Sequence, residues 1–172
     1  GSGVILACGP KDAPVYAVKA GGTGTLSHKS LAWQSHVQAT DDAAEAAPSQ
    51  NIRELTTDVP TPLFYEGKFY ILNGRKRKLY CVNPADGAVV WSGDLGSKSD
   101  YQCSPTAADG KIYVMNFNAD VSVIQAGGSE FKLLHTANFK DDGDATRHRS
   151  SVAISQGNLF LRTGTKLFAL GK

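Results

Sequence analysis

The chain has 172 residues and a formal net charge of +2 at pH 7, with 41% hydrophobic and 20% charged residues. This length allows a sizeable core, and the composition is typical of a globular domain. The small net charge argues against nucleic-acid binding by electrostatics alone, and no apolar run approaches the length of a membrane span. Eighteen glycines and seven prolines among many short β-rich runs predict an all-β protein.

The first predicted elements are strands at 4–8, 15–20 and 31–34. The sequence Ile5-Leu6-Ala7-Cys8 is similar to a bacterial lipoprotein cleavage box, but only a few residues precede it, and the repeats described below predict a strand there. Residues 37–59 form a longer connection. Its start is rich in alanine and acidic residues and predicts one or two helical turns before Pro48. We interpret it as a surface insertion without a functional role.

Three aligned segments follow this insertion. Residues 61–70 (TPLFYEGKFY) align with residues 104–113 (SPTAADGKIY) at an offset of 43, and a third copy at 151–160 follows 47 residues later. Each copy reads as a strand, a glycine turn and a second strand. A period in the forties with about four strands is the sequence signature of a β-propeller blade.

The repeats divide a single domain, 1–172, into blade-like segments at 4–35, 61–95, 103–139 and 150–170. Their predicted strands after the first segment are 61–65, 68–72, 78–83 and 88–92, then 103–107, 111–116, 121–126 and 131–138, and finally 150–154, 158–163 and 166–170. The first segment lacks the first strand of a blade and the last segment lacks the fourth. We therefore predict a partial propeller whose ring is completed by a longer parent chain, a second copy or another protein.

The stretch 79–91, LYCVNPADGAVVW, predicts two strands joined by a tight turn. Asn83, Pro84 and Gly87 supply the turn chemistry, because they bond locally, fix φ and tolerate a positive φ, respectively. Trp91 follows four residues after Gly87 and ends the second strand. By itself this pattern is also that of an ordinary hairpin with a core tryptophan packed over its turn.

The same stretch resembles the motif A-x-D-x-x-T-G-x-x-x-W, which closes each blade in propellers of the pyrroloquinoline-quinone (PQQ) type. Glycine and tryptophan match, whereas Cys, Asn and Asp replace Ala, Asp and Thr. The resemblance implies a structural role, the docking of neighbouring blades. The residues to which it assigns this role are Cys81, Asn83, Gly87, Trp91 and, in the first segment, Trp33.

Outside 37–59, most of the chain resembles the C-terminal half of secreted bacterial quinone-type propeller proteins, which implies a periplasmic or secreted location. Quinone-dependent dehydrogenases of this fold carry a vicinal cysteine pair, a catalytic Asp and calcium-binding acidic residues. This chain has no Cys-Cys pair and no residues that match the others. We therefore assign no catalytic, metal-binding or cofactor-binding residue and expect no cofactor.

The function predicted from these observations is that of a non-catalytic binding or scaffolding module. Two alternatives stay open. The chain could be part of a PQQ-dependent oxidoreductase whose active residues lie in other blades. It could also be a docking protein similar to outer-membrane assembly factors.

Two further groups of residues could serve in metal binding or in thiol chemistry. The acidic run at 141–144 lacks the alternating ligands and the distal Glu of a calcium loop and predicts a solvated turn between blades. Cys8, Cys81 and Cys103 are far apart and have no CxxC spacing, which favours buried reduced thiols, with a disulfide as the alternative.

Two basic groups form the candidate partner-binding site. They are Arg75, Lys76, Arg77 and Lys78 between the second and third strands of their segment, and Arg147, His148 and Arg149 in the linker before the last segment. In an antiparallel meander both kinds of connection lie at the same face, near residues 10–12. We predict that this face attracts an acidic partner protein or an anionic polysaccharide. The alternative is that these are solvated charges on exposed hairpins.

Overall fold

The computed structural model describes residues 1–9, 12–37 and 48–171. These residues form fourteen β-strands and a single 3-10 turn at His28–Ser30. The strands form four separate antiparallel sheets, and within each sheet the spatial order of the strands follows their order in the chain. The all-β prediction is confirmed. No helix in the described part of the chain has the length and apolarity needed to cross a membrane.

The four sheets are numbered I to IV in chain order. Sheet I contains β1 (Val4–Cys8), β2 (Val15–Lys19) and β3 (Leu31–Gln34). Sheet II contains β4 (Leu63–Tyr65), β5 (Lys68–Asn73), β6 (Lys78–Val82) and β7 (Val89–Asp94). Sheet III contains β8 (Thr106–Ala108), β9 (Lys111–Met115), β10 (Asp120–Gln125) and β11 (Leu133–Asn138). Sheet IV contains β12 (Ala153–Ser155), β13 (Asn158–Arg162) and β14 (Leu167–Leu170).

The first strands of sheets II, III and IV begin later than predicted, at Leu63, Thr106 and Ala153. The residues just before them bond across to the neighbouring sheet instead. The backbone N–H of Thr61 donates to Ser104 Oγ at 2.9 Å, and the N–H of Ser104 donates to Ser151 Oγ at 2.9 Å. These three residues occupy the aligned repeat positions. Hydrogen bonds to serine hydroxyls therefore link the residues that precede the first strands of the three sheets.

The last two strands of sheets I, II and III pair with a shift of register at the same place in each sheet. The register shifts after Ala17 in sheet I, after Cys81 in sheet II and after Val123 in sheet III. These residues lie opposite Trp33, Trp91 and His135, respectively, which therefore occupy equivalent positions. Bulges of this kind increase the local twist and re-aim a side chain.

Sheet II lies between two hydrophobic clusters. One of its faces contributes Ile71 and Tyr80 to a cluster with Trp33 of sheet I. The opposite face contributes Tyr70, together with Leu72, Leu79 and Cys81, to a larger cluster that extends through sheet III into sheet IV. Because both faces are covered, β5 and β6 are buried along nearly their whole length and read as continuous apolar runs.

Candidate partner-binding face

One face of the molecule is built by two kinds of connection, the tips between second and third strands and the linkers between sheets. We call it the linker face. In sheet II, the tip carbonyl of Gly74 accepts a hydrogen bond from Tyr101 N at 3.1 Å, and Leu95 N donates to Arg77 O at 2.9 Å. In sheet III, His148 N donates to Phe117 O at 3.1 Å. Each linker is thus bonded to a tip, as the topology predicted.

The same buried position anchors a linker in three sheets. Asn73 Nδ2 donates to Glu54 O at 3.0 Å, and Asn116 Nδ2 donates to Ser97 Oγ at 2.8 Å. In sheet IV the equivalent residue is Thr163, which donates to an Asp141 carboxylate oxygen at 2.7 Å. These polar side chains are buried and hydrogen-bonded, so they fix the linkers and do not form a reactive site.

Asp141 belongs to the acidic run that was predicted to be a solvated turn. The run does join sheets III and IV, but Asp141 is buried and accepts hydrogen bonds from Thr163, from Thr165 Oγ1 at 2.6 Å and from Lys166 Nζ at 2.6 Å. Lys166 and the two hydroxyls hold the pKa of this carboxyl well below its usual range. The solvated-turn prediction is wrong for this residue, because the tip of sheet IV supplies donors that are distant in sequence.

The first basic group is partly neutralised by its neighbours. The Arg77 guanidinium lies 3.0 Å from Asp100 Oδ1, and Lys78 Nζ lies 3.7 Å from a carboxylate oxygen of the preceding linker, Glu54 Oε2. The remaining two residues, Arg75 and Lys76, are exposed and form no ion pair with any residue in the described ranges. They carry the surplus positive charge of this group.

The second basic group is organised by one aromatic ring. The guanidinium carbons of Arg147 and Arg149 lie 5.7 and 5.9 Å from the ring centroid of Phe117. The backbone N–H of Phe117 donates to Asp100 O at 3.0 Å, and Asp100 is also the partner of Arg77. The two basic groups therefore lie on either side of Asp100 and Phe117.

His148 differs from its two neighbours because only 3% of its surface is exposed. Its Nε2 lies 3.1 Å from Asp144 Oδ2 and its Nδ1 lies 3.0 Å from Phe117 O. Both ring nitrogens are therefore used inside the protein. His148 holds the linker against sheet III, and we leave it out of the partner-binding surface. Of the region predicted nearby, residues 10 and 11 lie outside the described residues, as do residues 38–47, which include most of the predicted helical turns.

The predicted blade-docking residues lie at junctions between sheets. The Trp33 indole N–H of sheet I donates to Pro84 O of sheet II at 2.9 Å. The turn is closed by Gly87, whose N–H donates to Asn83 O at 2.8 Å and whose φ is +75°. A Cβ at Gly87 would lie 2.5 Å from the Trp33 ring, so glycine is required for this contact.

Trp91 makes the corresponding contact one sheet further on. Its indole N–H donates to Gly127 O at 2.9 Å, and Gly127 N donates to Tyr70 OH at 2.7 Å. Burial raises the pKa of Tyr70 to about 12, so its phenol stays protonated. Cys81 is buried opposite Trp91 in the same cluster. Trp91 thus packs on the next sheet, and not over its own turn as in a simple hairpin.

The three cysteines are free. Cys81 and Cys103 are buried, and desolvation raises the pKa of Cys103 to about 11. Cys8 is exposed, because it ends the edge strand β1, so the predicted burial is wrong for this residue. Within residues 1–9, 12–37 and 48–171, no group of His, Cys, Asp and Glu side chains is placed to hold a metal ion.

The four meander sheets and their repeated junctions define a partial β-propeller, and comparison with known proteins identifies its family. A family model described as "Outer membrane protein assembly factor BamB" matches residues 11–171. The chain belongs to this family. No curated protein sequence gave a significant match.

One solved structure agrees with this assignment at the level of the fold, and two others are less similar. BamB from Moraxella catarrhalis is similar with a TM-score of 0.63 at 10% identity, over 98% of this chain and 42% of that protein. A quinohemoprotein alcohol dehydrogenase from Comamonas testosteroni gives a TM-score of 0.49 at 16% identity, over 63% of this chain and 17% of the enzyme. A related enzyme from Pseudomonas putida HK5 gives 0.48 at 21% identity, over 75% and 18%.

The chain therefore spans less than half of each of these proteins. The resemblance to PQQ-type repeats and the prediction of a partial propeller are confirmed. The fold by itself does not assign an activity.

Proposed function

We propose that this chain is a protein-docking part of a BamB-like propeller and that it works in the bacterial periplasm at the outer membrane. The family match supports this role, because the family is described as an outer-membrane protein assembly factor. We further propose that the partner is a protein with an acidic surface and that it docks on the linker face.

The observation that carries the docking proposal is the imbalance of charge on this face. Arg75, Lys76, Arg147 and Arg149 are exposed and have no ion pair in the described part of the chain. Four carboxylates of the same face are already engaged, namely Glu54 with Lys78, Asp100 with Arg77, Asp141 with Lys166, and Asp144 with His148. The exposed carboxylates of Asp94 and Asp142 form no ion pair in the described ranges and offset part of the positive charge. Surplus charge of one sign steers an oppositely charged partner and selects its orientation.

Rigidity also favours docking at this face. The linkers are held to the tips by backbone hydrogen bonds and by the buried side chains of Asn73, Asn116 and Thr163. A surface that is fixed before binding loses little conformational entropy when a partner arrives. A surface fixed in this way is typical of a scaffold, whereas an adaptable loop becomes ordered only when it binds.

A photo-crosslinking experiment tests the proposal. A photoreactive amino acid is placed at position 75 or 147 on the linker face, or at position 68 or 111 beside the opposite turns as the matched control. After irradiation with a bacterial envelope extract, we expect adducts with outer-membrane assembly proteins from positions 75 and 147 only. Equal adducts from positions 68 and 111, or none from positions 75 and 147, would contradict the proposal.

A further inference from the structure

A groove on the linker face has the chemistry of a peptide-binding site. Its first part surrounds Phe117 and is lined by Lys98, Ser99, Asn118 and Arg147. Its second part is lined by Leu95, Tyr101 and Leu133, and shares Lys98 and Asn118 with the first. The two parts therefore form one continuous groove, cationic and aromatic at one end and partly apolar at the other. It begins at the linker face, between the II–III linker and sheet III, and extends along sheet III to Leu133, at the end of β11 remote from that face.

The cationic end is organised for a planar anion. Arg147 and Arg149 both lie against the Phe117 ring, which restricts their side chains before any ligand arrives. A guanidinium packed on a ring keeps its N–H edge free to bind a carboxylate through two hydrogen bonds. Lys98 adds a third exposed cation at the shared part of the groove.

The cationic end also holds two like charges close together. The lining of the groove includes two carboxylates: that of Asp100 is paired with Arg77 at 3.0 Å, and that of Asp120 accepts hydrogen bonds from two asparagine side chains. Neither forms an ion pair with Arg147 or Arg149, whose positive charges both lie at the Phe117 ring and repel each other. An anion bound between them or beside them would relieve this repulsion.

The apolar end distinguishes a peptide from a polysaccharide. Leu133 is 38% exposed on β11, and Leu95 lines the floor of the groove on the side of sheet II. Tyr101 and Ser122 contribute hydroxyls there, which are 3.5 Å apart. An apolar side chain of a peptide can pack against Leu133, whereas a sulfated sugar offers no group of this kind.

We propose that this groove binds an extended segment of an acidic partner protein. An Asp or Glu side chain of the segment lies beside Phe117, between Lys98 and Arg147, and an apolar side chain two or more residues away packs against Leu133. The proposal rests on the proposed function, since it names the part of the linker face that reads the partner. Arg147 and Lys98 bind the carboxylate of the segment, and Leu133 selects for an apolar residue near that carboxylate.

The test is fluorescence anisotropy of the full chain with a labelled eight-residue peptide of alternating Glu and Leu. Three competitors are compared, namely the same peptide with Gln for Glu, the same peptide with Ser for Leu, and a heparin oligosaccharide. Because a charge-assisted hydrogen bond contributes roughly 1.5–3 kcal/mol, we expect the Gln peptide to bind at least about tenfold more weakly. The Ser peptide is also expected to bind more weakly.

Variants of the protein locate the binding. Arg147→Gln and Lys98→Gln should weaken the binding of the Glu–Leu peptide. Leu133→Ser should remove the preference for the Leu peptide over the Ser peptide. Lys111→Gln, which removes the same charge near the opposite turns, should change nothing. Circular dichroism of each variant checks that it has folded.

Two outcomes would overturn the inference. Equal binding of the Glu and Gln peptides would mean that the charge of the peptide does not contribute to binding. Tighter binding of heparin, with no effect of Leu133→Ser, would mean that the groove is only an anion-binding surface. Either result could occur while positions 75 and 147 still crosslink to a partner, so failure of the groove is separable from failure of the docking face.

Discussion

The junction between sheets II and III and the junction between sheets III and IV use the same repeat in different ways. At the first, Trp91 and Tyr70 bond both polar groups of Gly127, and Gly93 lies under the ring of Phe131. At the second, the position equivalent to Trp91 is His135, and it is exposed.

The III–IV junction is instead formed nearer the linker face. Phe139 and Phe168 pack edge to face with their centroids 5.3 Å apart, and Asp141 bonds Lys166 and two threonines. β11 is exposed along most of its length, and Leu167 of β14 is 71% exposed. A repeat thus fixes where a junction lies, while the side chains at that junction decide whether packing or hydrogen bonding holds it.

The largest expected effect is that of removing Trp91. Trp91→Ala removes a buried indole and its hydrogen bond to Gly127, which should lower the free energy of unfolding by about 3–5 kcal/mol. The matched variant His135→Ala alters the equivalent but exposed position. It should change the free energy of unfolding by less than about 0.5 kcal/mol. Urea unfolding measures both. Similar losses in the two variants would mean that the junctions do not differ in this way.

Gly74→Ala should be the next most costly change. A Cβ at this position would lie 1.9 Å from the backbone oxygen of Tyr101, which cannot move without displacing the linker, so about 1–3 kcal/mol should be lost. Gly110 is the control, because it has open space and a φ of +68°. Gly110→Ala should cost only the roughly 1–2 kcal/mol of a left-handed conformation. Thermal unfolding that shows normal stability of Gly74→Ala would contradict the close approach of linker and tip.

A comparable effect is expected from Tyr70→Phe. This substitution keeps the ring in the core but leaves the Gly127 N–H without its hydroxyl acceptor, which should cost about 1–3 kcal/mol if the amide stays buried. Tyr65→Phe is the comparison, because its hydroxyl accepts from Gly110 N at 3.0 Å in a more exposed place. The loss for Tyr70→Phe should exceed the loss for Tyr65→Phe in denaturant titrations, and the reverse order would refute the assignment.

The smallest effect should depend on pH. The pKa of Asp141 is lowered in the folded state, so its contribution is present above the unfolded pKa of roughly 3.9 and is lost as pH falls through the lower folded value. The melting temperature of the wild type should therefore fall more steeply than that of Asp141→Asn between about pH 5 and pH 2. Calorimetry at several pH values checks this. Parallel curves would mean that the Lys166 and threonine contacts do not stabilise the carboxylate.

Much of the fold could be predicted from the sequence because each sheet is a local meander. Alternating apolar residues and glycine turns repeat at 61–70, 104–113 and 151–160, and these give the first two strands of each of sheets II to IV. The late start of β4, β8 and β12 could not be predicted. It depends on hydroxyl contacts between sheets, and the only signal was that Thr61, Ser104 and Ser151 are aligned.

The candidate site was predicted less completely. Topology placed both basic groups at one face, but neither the ion pair of Arg77 nor the burial of His148 has a local signature. Phe117 was missed, because a single aromatic residue at a strand tip is no motif, and its importance comes from a linker thirty residues away. Long-range contacts of this kind decide which charges remain available to a partner.

The most direct test of the docking account is hydrogen exchange of the full chain with and without the Glu–Leu peptide. We expect slower exchange of amides at 97–101 and 116–119, next to the groove, and unchanged exchange at the opposite turns, 66–68 and 109–111. Protection at the opposite turns, or none at the groove, would contradict the claim that the groove of the linker face binds an acidic segment.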